Sequence, residues 1–458
     1  MVTRQQAIEA KIEEGRAVGL SDRSYQRQGI NWLSTVGRCI LADDMGIGKS
    51  KQSIEASKLL EAKNILIVCP KTAAVTVWQD EIEKWTGSKG TVLKGTSSKK
   101  LEKLDRASDG WYITTYGSLK MIKDTSNRFD ILIFDEAHKL KNKDAYRSKY
   151  AYGLQRRANH VFMLTGTPII NTPDEIWSLL HILYPTIFND FKRFLQEFCI
   201  VYFDGHKDKV CGVQDEEKYR YLIEPVVLRR LRDDCLDLPP IQYQTIKLDM
   251  TSAYAQFYKE ITNRNINYLD PNLKHFEKIK NITPLRLAAL LPEHFGVDLE
   301  SPKLEAAKEL IEDTDNRIVV FSNFKEPLFK LSSMITRPNR VFTGELTTKQ
   351  RNQVKVELNE GDLEVVLATM QSGGESVSFT GASIVITIDK DWTPSTNEQA
   401  IARVYRDGQK TKVHVFHVKL SKTIDDDIDN TLLRKGRTIN SLINSIRSSH
   451  KRYIEEGV

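Results

Sequence analysis

Cysteine is scarce in this chain. Five are spread over 458 residues, at Cys39, Cys69, Cys199, Cys211 and Cys235, and no two form a C-x-x-C pair. An odd number at such spacing argues against a disulfide framework and against the common zinc modules, and it suits a reducing compartment. Long apolar runs are missing as well. No stretch approaches the roughly 18 residues that a membrane span requires, and the polar start MVTRQQAIEAKIEEGR offers no apolar core for a secretory leader. No repeat and no low-complexity tail is visible. Neither charge sign dominates: 67 Lys and Arg stand against 61 Asp and Glu, a formal net charge of +6. Such a balance permits a polyanionic partner without requiring one. The expectation is a soluble intracellular protein with no membrane partner.

What is present is a recurring pattern. The length exceeds what one core usually serves, so two domains of about 200 residues each are expected. Short runs rich in branched residues, each followed by a turn signal and a helical pattern, occur at 64–70, 111–116, 130–138 and 161–168. A second set occupies 317–322, 363–369, 383–389 and 413–418. Near-continuous apolar character over four to six residues is expected of parallel strands covered on both faces. Alternation with helices then gives open parallel sheets. The fold class is therefore α/β in two tandem lobes. A helical region from about 172 to 310 separates the sets, broken by VVLRRLRDDCLDLPP at 226–240, where Pro239 and Pro240 mark a hinge or boundary. The expected domains are a helical extension over 1–20, a first lobe over 21–228 with a helical insertion at 172–228, and a connector, insertion and second lobe over 229–458.

Chemistry is concentrated at strand ends. The stretch ILADDMGIGKSKQS, 40–53, closes in Gly48-Lys49-Ser50. A loop that cradles phosphate needs small residues for backbone approach, a lysine for the outer phosphates and a hydroxyl for Mg²⁺. Gly46 and Gly48, Lys49, and Ser50 answer to these, with Met45 and Ile47 in the same turn and a helix start that favours an anion. The usual pattern asks for glycine where Asp43 stands. ILIFDEAH then sets Asp135 and Glu136 just past an apolar strand. Asp135 suits a Mg²⁺ ion, and Glu136 suits the proton of an attacking water, a role worth about 10²–10⁴-fold.

Together the loop and acidic strand resemble superfamily-two helicases, and LADDMGIGKS resembles the Swi/Snf-type branch, in which an acidic residue commonly replaces the first glycine. The likeness runs from about Tyr25 to the neighbourhood of Ile428, and it implies two RecA-like lobes using ATP and Mg²⁺. By that resemblance Gln26 in SYQRQGINWL reads adenine, while Trp32 and Leu33 are core. VCPKTAAVTVWQDEIEKW and ITTYGSL resemble segments that touch one DNA strand, with Lys71, Thr115 and Tyr116 as candidates. LTGTPIINTPDEIWSLLHIL is similar to the coupling motif, giving Thr165, Gly166 and Thr167 the task of linking the ATP site to lobe movement. LRRLRDDCLDLPP resembles the connector of this branch. Without the family, Arg229, Arg230 and Arg232 read equally well as a solvated basic helix face.

In the second half, VVFSNF and FTGELTTKQRNQVKVEL match in position and character. LATMQSGGESVSFTGAS resembles the next motif and implies DNA contacts at Ser372, Gly373 and Gly374, though Ser376 and Ser378 depart from its usual glycine and asparagine. NEQAIARVYRDGQ resembles the closing motif. There Gln399 joins the coupling residues, and Arg403 and Arg406, three apart and so expected on one helical face, stabilise charge on the transferring phosphoryl group. Tyr405 and Asp407 depart from the common histidine and aliphatic residue. His138 is expected to relay contacts between motifs, and His160 to be an ordinary surface or core histidine.

The resemblance thus implies a DNA-dependent ATPase that translocates on double-stranded DNA and remodels protein–DNA complexes or branched DNA. The alternatives are a strand-separating DNA or RNA helicase and a nucleic-acid-binding scaffold with a weakened ATPase. A monomer is expected, with proteins bound on DNA as further partners. The bareness of the chain suits the cytoplasm of a bacterial or phage-infected cell better than a nucleus.

Overall fold

The apolar runs expected to be strands are strands in the computed structural model, which describes residues 23–71, 77–203, 205, 208–264, 275–371 and 377–436. The expected N-terminal extension, 1–20, and Ser372, Gly373, Gly374 and Ser376 lie outside the described residues. Two compact units emerge, the first ending at Leu236 and the second running from Asp237 to Gly436.

The sheet of the first unit is wholly parallel. Its strands are β1 (Arg38–Leu41), β2 (Asn64–Cys69), β3 (Thr91–Val92), β4 (Gly110–Thr115), β5 (Phe129–Asp135), β6 (Ala158–Leu164) and β9 (Val227–Leu228), in the spatial order β3-β4-β2-β5-β6-β1-β9. Side chains alternate between two cores. Ile40, Leu66, Val68, Leu132, Phe134 and Met163 face one, and Leu41, Ile65, Ile67, Ile131, Ile133 and Phe162 face the other. Burial on both faces is why these strands read as unbroken apolar runs.

The insertion expected to be helical over 172–228 also holds β-structure. β7 (Cys199–Phe203) and β8 (Asp208–Val213) form an antiparallel hairpin, and most of β7 is exposed. The first lobe also runs past 228. β9 is an edge strand of its sheet and the arginines after it are buried within it, so the boundary falls at Leu236.

In the second unit β10 (Ile241–Leu248), β11 (Ile318–Ser322), β12 (Asn339–Phe342), β13 (Val365–Thr369), β14 (Ile384–Thr387) and β15 (Val413–Leu420) form a parallel sheet in the order β10-β15-β14-β11-β13-β12. A helical layer over 252–264 and 275–288 packs Tyr254, Phe257 and Ile261 with Leu285 and Ala288 against Leu420, Ile424 and Ile428. Lys303, fully buried, is paired with Asp425 at 2.6 Å. Among the described residues no helix is long and apolar enough to cross a membrane.

Candidate nucleotide-binding site

The carboxyl ends of the central strands of the first sheet carry the residues expected to do chemistry, where open parallel sheets place ligands. After β1 the chain turns through Asp43–Ile47 and starts the helix Lys49–Leu59 from Gly48. Gly46 and Gly48 have φ of 85° and 87°, the left-handed region that glycine enters without steric cost. A Cβ on Gly48 would also sit 2.5 Å from the side-chain nitrogen of Gln26. Gln26 is buried and donates to the carbonyl of Ile47 at 3.2 Å. The segment expected to read adenine is thus fastened to the phosphate loop. Trp32 is half-buried and Leu33 wholly so, as expected of core residues.

Lys49 donates through Nζ to the carbonyls of Asp43 and Asp44 at 2.8 and 3.0 Å. Burial pulls its ammonium below its ordinary range, against the opposing influence of Glu136, Asp43, Asp44 and Asp135. Leu41 of β1 and Asp135 of β5 both pair with Leu164 of β6, so the loop lysine and the acidic pair leave the sheet at one locality.

At the end of β5, Asp135 receives the indole N–H of Trp78 at 2.9 Å and the backbone N–H of Glu136 at 3.0 Å. Burial and the neighbouring Glu136 push it up to about 6, offset in part by Trp78 and Lys49. Glu136 has φ 52° and ψ 51°, a left-handed conformation costing a non-glycine residue about 1–2 kcal/mol. Such strain gathers at functional positions. Burial raises Glu136, but His138 and Lys49 outweigh it and hold the carboxyl below its ordinary range. His138 Nδ1 lies 3.1 Å from Glu136 Oε2 and 3.2 Å from Thr165 Oγ1, so it does bridge two motifs. Thr165 Oγ1 also accepts from the backbone of Thr167 at 3.1 Å. A Cβ on Gly166 would meet Met45 at 3.0 Å, which ties the coupling segment to the loop.

Oxygen donors at Ser50 and Asp135 fit a hard cation such as Mg²⁺, which keeps much of its water and takes the rest of its ligands from substrate phosphates. Among the described residues no three His, Cys, Asp or Glu side chains cluster as a protein-only metal site.

Two expectations need correction. Tyr116 is buried and its hydroxyl donates to the carbonyl of Asp135 at 2.7 Å, so it braces the acidic strand instead of facing a ligand. Lys71 is exposed and Thr115 partly so. Arg403 and Arg406 do not share a helical face, because the helix Pro394–Ile401 ends before them. Arg403 is buried in the following turn and its carbonyl accepts from Phe379 at 2.8 Å, while Arg406 is partly exposed and Gln399 lies on the helix. Of the two readings left open for Arg229 and Arg230, a solvated helix face is excluded: both are 7% exposed and precede the short helix Arg232–Cys235. Arg230 grips Asp43, and Arg229 Nη2 reaches Asp44 Oδ1 at 2.9 Å. His160, as expected, has an ordinary role, with Nδ1 3.3 Å from the carbonyl of Asp130.

Sequence reasoning missed Trp78 as a partner of Asp135 and Glu175 as a brace of the coupling loop, where its carboxylate accepts from Ile170 and Asn171 backbone, each at 2.9 Å. The signal for Glu175 was an acid beginning a helix directly after the motif.

The description "SNF2-related domain" belongs to the family model that matches residues 25–290, and "Helicase conserved C-terminal domain" to the one that matches 302–408. The probable ATP-dependent DNA helicase CHR23 of Arabidopsis thaliana is 30% identical over 86% of this chain and 40% of its own length. The ISWI chromatin-remodeling complex ATPase ISW1 of Saccharomyces cerevisiae is 26% identical over 98% of this chain and 43% of its own. The chain thus spans about two-fifths of the length of these curated relatives. A solved Sulfolobus solfataricus SWI2/SNF2 ATPase core in complex with dsDNA is 25% identical, with 93% of each chain covered and a TM-score of 0.44.

Proposed function

This chain belongs to the SNF2-related family, and we propose that it hydrolyses ATP to move along double-stranded DNA, remodelling protein–DNA complexes or branched DNA. The observation that carries the reading is the gathering of Lys49 with Asp135 and Glu136 at the carboxyl ends of β1 and β5, which flank β6. Loop N–H groups and Lys49 hold the phosphates. Asp135 and Ser50 would hold Mg²⁺, which would supply positive charge to offset that of the phosphates. Glu136, kept ionised beside Lys49 and His138, accepts the proton of the attacking water. Thr165–Thr167 are assigned to passing the state of the site onward.

DNA as the track is supported by the relatives, which include a probable ATP-dependent DNA helicase and a chromatin-remodeling complex ATPase. The duplex reading is supported by the connector and closing motifs. Grip on phosphates carries no sequence information, so activity falls with salt and shows little sequence preference. Displacement of a triplex-forming strand tests the proposal. ATP-dependent displacement without unwinding of a tailed duplex is expected, and unwinding without triplex displacement would replace translocation by strand separation.

A further inference from the structure

Asp43 poses a problem that Arg230 solves. The residue stands at the opening of a loop built to hold phosphates, and its side chain is fully buried. A bare carboxylate there would set negative charge against the triphosphate in a region of low polarity, where repulsion over a few ångströms is several times that in water. Arg230 takes both oxygens, Nε donating to Oδ1 at 2.9 Å and Nη2 to Oδ2. This is the bidentate fork that a guanidinium can make and an ammonium cannot.

The same guanidinium is fixed from other sides. Nη1 donates to the carbonyl of Tyr25, and Nη2 to Gln52 Oε1 at 2.8 Å. Gln52 returns its amide to Asp43 Oδ2 at 3.2 Å and to the carbonyl of Ile47 at 3.3 Å. Ile47 is also where Gln26 donates. There is no slack. A Cβ on Gly29 would lie 1.7 Å from Gln52 Oε1 and 2.7 Å from Arg230 Nη2, so the helix Ser24–Val36 seats directly on the network.

We infer that Arg230 is a positioning residue for nucleotide. By neutralising Asp43 and holding Gln52 and Tyr25 it sets the shape and charge of the phosphate loop from the segment that leads out of the first unit. The inference rests on the loop being an ATP site.

The test is binding of ADP with Mg²⁺ to the full chain by calorimetry, with thermal melting alongside. Arg230→Gln exposes the loop to the Asp43 carboxylate and weakens binding on the order of ten- to a hundredfold. Adding Asp43→Asn removes the repelling charge and returns affinity to within about threefold of the parent. A merely structural arginine gives no such rescue. Unchanged affinity in Arg230→Gln, or a double variant as weak as the single one while melting like the parent, overturns the inference. If Arg230→Gln does not fold, Arg230→Lys serves, keeping the charge and losing the fork. An intermediate weakening supports the inference, and unchanged affinity overturns it. Failure of the parent protein itself to bind ADP overturns the ATP-site reading, a result distinct from any behaviour of the variants.

Discussion

Arg229 donates to the carbonyl of Gly166 at 2.7 Å, and the same nitrogen reaches the carbonyl of Ala42 at 2.8 Å. The start of the connector thereby holds the end of β1 against the coupling segment. Arg229→Ala removes a charge-assisted partner from both carbonyls and from Asp44, costing the first unit about 2–4 kcal/mol. Urea denaturation measures this, and a loss under 1 kcal/mol on the same scale would place Arg229 among dispensable contacts.

Gly48→Ala meets two obstacles, a left-handed φ and a contact of 2.5 Å with Gln26. Alanine in that conformation costs about 1–2 kcal/mol before the clash. The loop relaxes away from its phosphate-binding shape, so nucleotide affinity falls by at least about tenfold, as equilibrium dialysis would show. Retained affinity would mean that the loop tolerates a different course.

Glu136→Gln keeps the shape of the acidic strand and removes the base. Turnover is expected to fall by about 10²–10⁴ while nucleotide still binds, and Lys49→Ala is expected to lose both. Single-turnover hydrolysis beside a binding titration separates the two, and an active Glu136→Gln enzyme would move the base elsewhere.

His417 gives the second unit a pH dependence. Its Nδ1 lies 2.6 Å from Thr387 Oγ1, and burial, reinforced by Lys390 and opposed by Asp429, pushes it down to about 4. Above about pH 6.5 the ring is neutral in folded and unfolded chains alike. From there down to about 4 the unfolded chain binds the proton more readily, so stability falls with pH, by at most about 3 kcal/mol. His417→Gln should flatten the slope of denaturation midpoint against pH in that window. An unaltered slope would assign the loss to other groups.

Legibility in the sequence followed burial. β2, β5, β6, β11 and β13 were readable because both faces are covered and nearly every residue is apolar. β10 escaped notice because it is an edge strand, exposed over much of its length, and IQYQTIKL alternates polar residues with apolar ones. The hairpin of β7 and β8 was hidden in a region whose helices dominate the pattern. At the site, glycines and a lysine at fixed spacing announced the loop, and the acidic pair announced its partner. Arg229 and Arg230 were left open because a run of arginines suits solvent as well as a buried acid. The clue was Asp43, since an acid buried at a phosphate site requires a cation, but sequence alone does not say which arginine supplies it. Tyr116 misled for the opposite reason, as an aromatic at a strand end suits a base stack as well as a core.

The most direct measurement is steady-state ATP hydrolysis with duplex DNA, single-stranded DNA and RNA in turn, for the parent chain and for Lys49→Ala. Strong stimulation by duplex DNA that disappears in the lysine variant is the predicted result. Stimulation by RNA alone, or turnover that survives the loss of Lys49, would contradict the account.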